Sequence, residues 1–355
     1  MLTRIHALQN ALPQNAALLV RSAPNRFYLT GFASSDGFVL ISRERAEFFT
    51  DSRYIEAAGA AVHHLAVSLS TDATAHIKQW LAAENIGTLY IETDATTVRS
   101  LAALRGALEG VSVSEEDTFD RLIADRRCVK TPTELDAMRR AQEMTDDTFA
   151  YITERIAAGR TEREIMLDME VYMRRLGSEG VAFAFVVVSG KNSSLPHGVP
   201  TDKVIERGDF VTMDFGAVVD GYRSDMTRTV AVGAVSDEQR RVYDTVLAAQ
   251  TAALAAIRAG AVCKDVDKIA RDLIDAAGYI GCFGHALGHS IGIGVHESPS
   301  LSPRCNTVLK VGTVMTVEPG IYLEGKFGVR IEDLVAVTEN GYENFTKSPK
   351  ELLVL

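Results

Sequence analysis

Four acidic residues in the second half of the chain stand inside or next to apolar, strand-like segments, where an ionised side chain is costly to bury. These residues are Asp214, Asp225, Glu318 and Glu332. Any one of them could be structural and paired with a buried arginine, such as Arg223, Arg228 or Arg330. Four in related segments favour a shared pair of cations, because one metal site would satisfy all of these carboxylates.

Three of the eight histidines lie in the glycine-dense segment 284–297: His285, His289 and His296. Glycines let the backbone approach a site closely, and a neutral imidazole supplies a nitrogen ligand. His197 lies in the turn-rich segment 189–198, which is suited to reaching over a pocket. For any one of these histidines alone, a surface or hydrogen-bonded role is the more common outcome.

The acids together with His289 form an oxygen-rich donor set. Such a set suits manganese, and it also accepts cobalt, zinc or iron. Two divalent ions that share carboxylate ligands can activate water and clamp the reacting oxygens. The residue types therefore predict hydrolysis with two metal ions as the chemistry of the chain.

An internal repeat supplies the elements that would position these residues. Segment 156–159 matches segment 257–260, and segment 208–216 matches segment 312–320. Each copy is predicted to contain a helix that ends at a glycine, and a glycine turn that leads into a strand ending in a carboxylate. Two such halves packed about a pseudo-two-fold axis would bring the carboxylates together. Chance recurrence of helix-cap glycines is the weaker alternative.

Two domains are predicted, residues 1–128 and residues 129–355, because a chain of 355 residues exceeds one ordinary core. The second domain opens with Thr131-Pro132-Thr133-Glu134, in which Thr131 and Glu134 can form a capping box. The predicted fold class is α/β (α+β), with a smaller N-terminal α/β domain.

The N-terminal domain is expected to alternate short strands with helices. Helical patterns are found near residues 76–84 and 100–108, and β-rich runs at residues 17–20, 27–29, 37–41 and 46–50.

The bulk composition argues against several classes of partner. A formal net charge of −10 disfavours nucleic acid, because phosphate binding needs a basic face. The N-terminus has no basic stretch followed by an apolar run, and no apolar run reaches membrane-spanning length. The four cysteines are scattered without Cys-x-x-Cys spacing. A cytoplasmic protein without a membrane partner is therefore expected.

The ordered set of candidate ligands resembles the metal shell of the pita-bread Xaa-Pro peptidases, prolidase and aminopeptidase P. The motifs that carry this resemblance are segments 213–217, 224–229, 288–292, 317–320 and 330–333. The resemblance covers nearly the whole chain. It implies a pita-bread catalytic domain with a pseudo-two-fold repeat, preceded by the shorter form of the family's N-terminal domain.

The resemblance also implies roles for individual residues. His197 and His296 would orient the substrate and stabilise the tetrahedral intermediate, and Glu318 would carry a proton in addition to binding metal. The positions of His285, Tyr322 and Arg330 match family positions that line the pocket, and we expect them to contact the substrate. The expected cofactors are two divalent ions, with manganese the first choice. The resemblance further implies a homodimer, in which the loop 31–37 reaches the partner subunit's site.

Two substrate specificities remain open within this family. An Xaa-Pro dipeptidase is the main expectation, and an aminopeptidase P that acts on proline-containing tripeptides or oligopeptides is the alternative. Some prolidases have an arginine shortly after the His-Glu pair, where it holds the dipeptide carboxylate. Here the corresponding segment 296–300 has none, and Arg304 is the nearest substitute.

Three further readings are disfavoured. Creatinase resembles this fold but works without the metal shell, and methionine aminopeptidase usually lacks the N-terminal domain. A non-catalytic peptide-binding module would not need the complete set of ligands that this chain has.

Overall fold

The computed structural model describes residues 1–355 and confirms a mixed α/β fold. It divides into two compact units, Met1–Arg127 and Cys128–Leu355, and each unit contains its own buried apolar core. None of the helices combines the length and the apolar character that a membrane span requires.

The N-terminal unit is built on a six-stranded mixed sheet. Its helices are α1 (Leu2–Ala11), α2 (Ala23–Thr30), α3 (Ile55–Ala61), α4 (Ala73–Ala83), α5 (Val98–Ala107) and α6 (Thr118–Cys128). Its strands are β1 (Ala16–Val20), β2 (Phe38–Ser42), β3 (Ala46–Thr50), β4 (Ala66–Leu69), β5 (Thr88–Ile91) and β6 (Ser112–Ser114). The strand order is β4-β3-β2-β1-β5-β6. The pairs β1–β2 and β2–β3 are antiparallel, whereas β1–β5, β3–β4 and β5–β6 are parallel.

One predicted strand of this unit is wrong. Residues 27–29 lie in α2, although their aromatic and aliphatic side chains favour a strand. A helix forms instead because Ser22 caps its N-terminus by accepting a hydrogen bond from the Asn25 amide, and because Pro24 lies in its first turn. Gly31 then ends the helix in the left-handed conformation, at φ 72°. The predicted helices near residues 76–84 and 100–108 are confirmed as α4 and α5.

The C-terminal unit contains two helix pairs, two larger antiparallel sheets and two antiparallel two-stranded sheets. Its helices are α7 (Pro132–Thr153), α8 (Glu162–Arg175), α9 (Asp237–Ala256) and α10 (Cys263–Ala276). Its strands are β7 (Val186–Ser189), β8 (Phe210–Phe215), β9 (Val218–Val219), β10 (Tyr222–Arg223), β11 (Met226–Ala231), β12 (Gly288–Ser290), β13 (Glu297–Leu301), β14 (Val314–Val317), β15 (Gly320–Leu323), β16 (Phe327–Arg330), β17 (Asp333–Val337) and β18 (Tyr342–Asn344). The predicted capping box at Thr131 and Glu134 is present at the start of α7.

The two halves of this unit follow the repeat found in the sequence. In the first half, α7 and α8 share a core with the three-stranded sheet β11-β8-β7. In the second half, α9 and α10 share a core with the five-stranded sheet β13-β12-β14-β17-β18. The helices α8 and α10 each have 14 residues and are followed by the glycines Gly177 and Gly278, at φ 105° and 93°. A left-handed glycine at both positions ends the helix and turns the chain back towards the sheet.

Candidate metal centre

The candidate carboxylates come from equivalent strand pairs in the two halves. Asp214 lies near the end of β8, opposite Thr227 of the antiparallel strand β11, and Asp225 immediately precedes β11. In the second half, Glu318 immediately follows β14, whose last residue lies opposite the first residue of β17. Glu332 immediately precedes β17. Each half therefore contributes two acids from the ends of a strand pair.

The five candidate ligands lie close together. One carboxylate oxygen from each of Asp214, Asp225 and Glu332 lies within 4.8 Å of the others. The His289 Nε2 atom lies 3.4 Å from Glu318 Oε1 and 3.7 Å from Asp225 Oδ2. The strand pairs thus bring all five side chains that the sequence indicated into one cluster.

Burial makes the cluster costly to ionise without a compensating cation. Burial, together with the neighbouring carboxylates, raises the pKa of Asp225 and of Glu332 well above the ordinary range. Burial raises the pKa of Glu318 to about 8. The charged forms of these acids repel one another, so without a cation the buried carboxylates favour the protonated form.

The imidazole of His289 is poised to act as a neutral nitrogen ligand. Burial lowers the pKa of His289 to about 4, so its ring is neutral at physiological pH. Its Nδ1 atom lies 3.1 Å from the backbone oxygen of Ser290, which fixes the proton on Nδ1. The lone pair of Nε2 then faces the carboxylates.

A single arginine reaches into the cluster. The Nη2 atom of Arg330 donates a hydrogen bond of 2.6 Å to Oδ2 of Asp214, and its Nε atom donates to Thr227. The other oxygen of Asp214, Oδ1, is buried and accepts no hydrogen bond. An unsatisfied buried carboxylate oxygen beside two further acids and a neutral imidazole fits a divalent metal site. Pairing with arginine, the structural alternative, accounts for only one of the two Asp214 oxygens.

The cluster forms the wall of a cavity of about 550 Å³. The other predicted site residues that line this cavity are His197, His285, His296 and Arg330. The rings of His289 and His296 meet edge to face, with their centroids 4.5 Å apart. The hydroxyl of Tyr322 lies 2.9 Å from His285 Nε2 and accepts a hydrogen bond of 2.9 Å from Arg330. Tyr322 does not itself line the cavity, and it is linked to the cavity by its hydrogen bonds to His285 and Arg330.

Apolar side chains form a second wall of the same cavity, and the sequence did not single them out. They are Phe183, Ala184, Val186, Pro196 and Val295. They give the cavity an apolar face next to the charged cluster.

Two threonines that the sequence analysis missed orient the acids. Thr227 donates a hydrogen bond of 2.7 Å to Glu332 Oε2, and Thr316 donates one of 3.1 Å to Glu318 Oε1. The available signal was the period of two in a strand, because Thr316 lies two positions before Glu318 and therefore on the same face.

Segment 288–292 also has the Gly-x-Ser-x-Gly spacing of a serine hydrolase nucleophile. The structure excludes this role. Ser290 is fully buried in strand β12, and its hydroxyl accepts a hydrogen bond from Lys130.

Family profiles match both parts of the chain. The profile of the creatinase/prolidase N-terminal domain matches residues 4–129, and that of metallopeptidase family M24 matches residues 136–339. The chain belongs to metallopeptidase family M24. It is therefore a metallopeptidase, and the divalent-metal chemistry that the cluster fits is that of the M24 family.

Three M24 relatives illustrate the similarity. The Xaa-Pro dipeptidase of Pyrococcus furiosus is 44% identical over 245 residues, which cover 69% of this chain and 70% of the relative. A solved Xaa-Pro dipeptidase from Bacillus anthracis is 38% identical and matches with a TM-score of 0.94, covering 99% of each chain. A solved X-Pro aminopeptidase from Thermotoga maritima is 36% identical with a TM-score of 0.93, covering 100% of this chain and 99% of that one.

Proposed function

We propose that this M24 metallopeptidase hydrolyses the Xaa-Pro bond of dipeptides. The observation that carries the proposal is the cluster of acids that includes Asp214 with its unsatisfied Oδ1 atom, in a cavity that apolar side chains also line. The names of the Pyrococcus furiosus and Bacillus anthracis relatives support the same substrate class.

Two divalent ions, manganese by preference, would be held by the five clustered side chains. These are Asp214, Asp225, His289, Glu318 and Glu332. When bound, such ions supply Lewis acidity, which lowers the pKa of a water molecule and stabilises negative charge that develops on the substrate. The oxygen-rich donor set with one imidazole supports manganese over softer metals.

The residues around the cluster would move the proton and position the peptide. Glu318 would carry a proton, because its carboxylate lines the cavity and lies 3.4 Å from His289, within reach of a bound peptide. His296 packs against His289, and His197 lies on the opposite loop of the same cavity. Both imidazoles can donate hydrogen bonds to a carbonyl oxygen that gains charge in the transition state.

Selectivity for proline would come from the apolar wall. Proline has no amide hydrogen and a fixed φ, so a site that offers an apolar surface and no hydrogen-bond acceptor suits it. Phe183 and Val186 offer such a surface within the cavity, and Val186 lies opposite Asp214 in the pairing of β7 with β8, next to the acids.

Aminopeptidase P activity is the second candidate, because a further cavity extends the site. This cavity of about 410 Å³ shares His285 and Ala286 with the first one and is also lined by Arg304, which is exposed and forms no ion pair. It could hold peptide residues that follow the proline. The name of the Thermotoga maritima relative agrees with this alternative.

Hydrolysis assays on two peptides separate the candidates. Protein stripped with a chelator is reloaded with manganese, cobalt, zinc or iron and assayed on Ala-Pro and Ala-Pro-Ala, with Ala-Ala as the control peptide. Cleavage of Ala-Pro alone supports the dipeptidase, and cleavage of Ala-Pro-Ala supports aminopeptidase P. Cleavage of neither would overturn the proposal, and equal cleavage of Ala-Ala would overturn the selectivity for proline.

Two further parts of the proposal concern assembly and location. We expect a homodimer in which the loop 31–37 of one subunit reaches the other subunit's site, and we expect the protein in the cytoplasm. Light scattering on the eluting protein measures its mass in solution, and fractionation of cells measures its location. A strictly monomeric protein with full activity would contradict the role of this loop.

A further inference from the structure

A lysine is buried beside the metal centre without lining the cavity. The side chain of Lys130 is 1% exposed, and its ammonium donates a hydrogen bond of 3.2 Å to Ser290 Oγ. The same ammonium lies 3.4 Å from Oε2 of Glu297, whose side chain is 7% exposed. Lys130 lies just before α7, and its two partners are 160 and 167 residues away in the sequence.

Both partners of Lys130 are the direct neighbours of site histidines. Ser290 follows His289, and Glu297 follows His296. The other oxygen of Glu297 accepts a hydrogen bond of 2.9 Å from the amide of Gly294, within the turn that joins the two histidines. One ammonium group therefore holds both ends of the segment that sets the distance between the two imidazoles.

The strands themselves do not fix this distance. The pairing of β12 with β13 has a register irregularity between His289 and Ser290, so the regular ladder is interrupted at the metal ligand. Within the turn, a Cβ atom at Gly292 would lie 3.1 Å from both Lys130 Cε and Glu297 Oε2. A side chain there would have to push the lysine or the glutamate aside by a few tenths of an ångström, so the lysine packs closely against the turn.

Stability alone does not account for a buried ion pair at this position. Removing two charges from water costs several kcal/mol per ion, and apolar residues of similar volume often serve stability as well or better. Burial lowers the pKa of Lys130, which shows that its environment disfavours the charge. The geometry of the contacts, in contrast, acts directly on the segment that carries the two histidines.

We propose that Lys130 is a positioning residue that fixes His289 and His296 relative to each other through Ser290 and Glu297. The inference rests on the proposed metal site. It adds a residue from the start of the catalytic unit whose contacts set the geometry of one metal ligand and one oxyanion donor.

Three variants test the proposal. Lys130→Met removes the ammonium, and Lys130→Met combined with Glu297→Gln also replaces the carboxylate that faces this ammonium with a neutral amide. Ser290→Ala is the mildest change, because it removes only the hydroxyl acceptor. Lys268→Met is the matched control, since Lys268 also forms an ion pair, with Asp272, but at the surface. Each protein is first checked for folding by circular dichroism and thermal unfolding.

The measurements separate positioning from stability. In the folded double variant we expect kcat on Ala-Pro to fall by about tenfold to one hundredfold with KM little changed, as for outer-shell contacts of metal sites. We expect the affinity for Co²⁺, measured by titration calorimetry, to fall by about tenfold, and the visible spectrum of the Co²⁺ protein to shift. Ser290→Ala should change kcat, the Co²⁺ affinity and the Co²⁺ spectrum in the same direction, but by smaller amounts.

The opposite results would overturn the proposal. If the double variant and Ser290→Ala unfold at a lower temperature but keep the wild-type kcat, Co²⁺ affinity and spectrum, Lys130 is only structural. If the double variant does not fold, the test is made on Ser290→Ala alone. Wild-type values of its kcat, Co²⁺ affinity and spectrum would then overturn the proposal. If the wild-type protein cleaves no Xaa-Pro peptide while the variants still change the Co²⁺ spectrum, the proposed substrate fails and the positioning role stands.

Discussion

Arg330 and Asp214 share a hydrogen bond of 2.6 Å that occupies one carboxylate oxygen and leaves the other without a partner. The bond fixes the orientation of the carboxylate and so the position of the free oxygen, Oδ1. Arg330 is the one arginine that donates a hydrogen bond to a carboxylate of this cluster, and although burial opposes the charge, the neighbouring acids raise its pKa. The arginine therefore both orients one ligand and offsets part of the charge of the others.

Replacing Arg330 with methionine should destabilise the metal-free protein. Truncating one partner of a buried ion pair costs about 3–5 kcal/mol, because the remaining charge stays buried without compensation. Urea unfolding near neutral pH measures the change. Arg139→Met is the matched control, because Arg139 forms a similar two-point contact with Glu343 at the surface, where loss of a pair costs about 0–1 kcal/mol. Equal losses for the two variants would contradict the assigned role of Arg330.

Replacing Asp225 with asparagine should abolish activity and metal retention while it stabilises the protein without metal. Burial and the neighbouring Glu332 make the charged form of Asp225 unfavourable, and an amide of the same shape removes this repulsion. We expect a gain on the order of 1 kcal/mol, or about 2–4 °C in Tm for a domain of this size. Thermal unfolding of the chelated proteins and metal analysis measure the two effects.

The control for this variant is Asp272→Asn, which changes an exposed acid in an i,i+4 pair with Lys268. Its Tm and metal content should equal those of the wild type. Full turnover by Asp225→Asn would show that the metal assignment is wrong, and a lower Tm without metal would show that Asp225 is not repelled by its neighbours.

The metal-free protein should lose stability as the pH rises above neutrality. Glu318 has a folded-state pKa of about 8 against an ordinary value of 4.5, and the pKa values of Asp225 and Glu332 are raised as well. A raised pKa means that the folded state binds the proton more tightly, so this contribution is complete below the unfolded pKa and is lost as the pH passes the folded pKa. Tm should therefore fall between about pH 6.5 and 9.

The histidines limit this window on its acid side. The pKa values of His285 and His289 are lowered from 6.5 to about 4, so their contribution is complete above pH 6.5 and is lost as the pH falls towards 4. Above pH 6.5 these two histidines are neutral in both the folded and the unfolded state, so they no longer contribute to the slope. Glu318→Gln should flatten the slope there, and added Mn²⁺ should reverse it, because metal binding favours deprotonated carboxylates. At about 100 times its Kd the ion adds about 2.7 kcal/mol. A metal-free Tm that rises over this range would contradict the assignment.

The sequence predicted those features that leave a local signal. The capping box of Thr131 and Glu134 is a four-residue pattern, and an acid in an apolar strand, such as Asp214, stands out against its immediate neighbours. The repeat predicted the two related strand pairs because it survives as matched glycines and carboxylates. Their convergence within 4.8 Å depends on strand pairing, which the repeat could only suggest.

Features that depend on distant partners left no such signal. Lys130 and Glu297 are ordinary charged residues in the sequence, and their contact joins positions on either side of most of the catalytic unit. The segment 27–29 has strand-like residues, but the cap at Ser22 and the left-handed Gly31 decide for a helix. In both cases the tertiary or boundary context, and not the residue type, determines the outcome.

Glu162 should control the loop that carries His197. Its carboxylate is fully buried at the start of α8, where it accepts hydrogen bonds of 2.6 Å from the Ser189 amide and 3.0 Å from the Thr201 amide. The side chains of Ser189, Asn192 and Thr201 donate to it as well. One carboxylate thus closes both ends of the segment 189–201, in which His197 lies.

Glu162→Gln should therefore lower kcat without releasing metal. The amide nitrogen of glutamine is a donor, and it would face donors that now share the carboxylate, which costs about 1–3 kcal/mol for each polar group left unsatisfied. The two ends of the loop are then no longer held together, and His197 loses its position. The metal ligands lie on other strands and keep their positions. Steady-state kinetics and metal analysis on the same preparation measure the two effects. Glu170→Gln is the matched control on the same helix, since Glu170 pairs only with Arg174 at the surface. A Glu162→Gln protein with normal kcat, or one that loses metal together with activity, would show that this carboxylate does not act through the His197 loop.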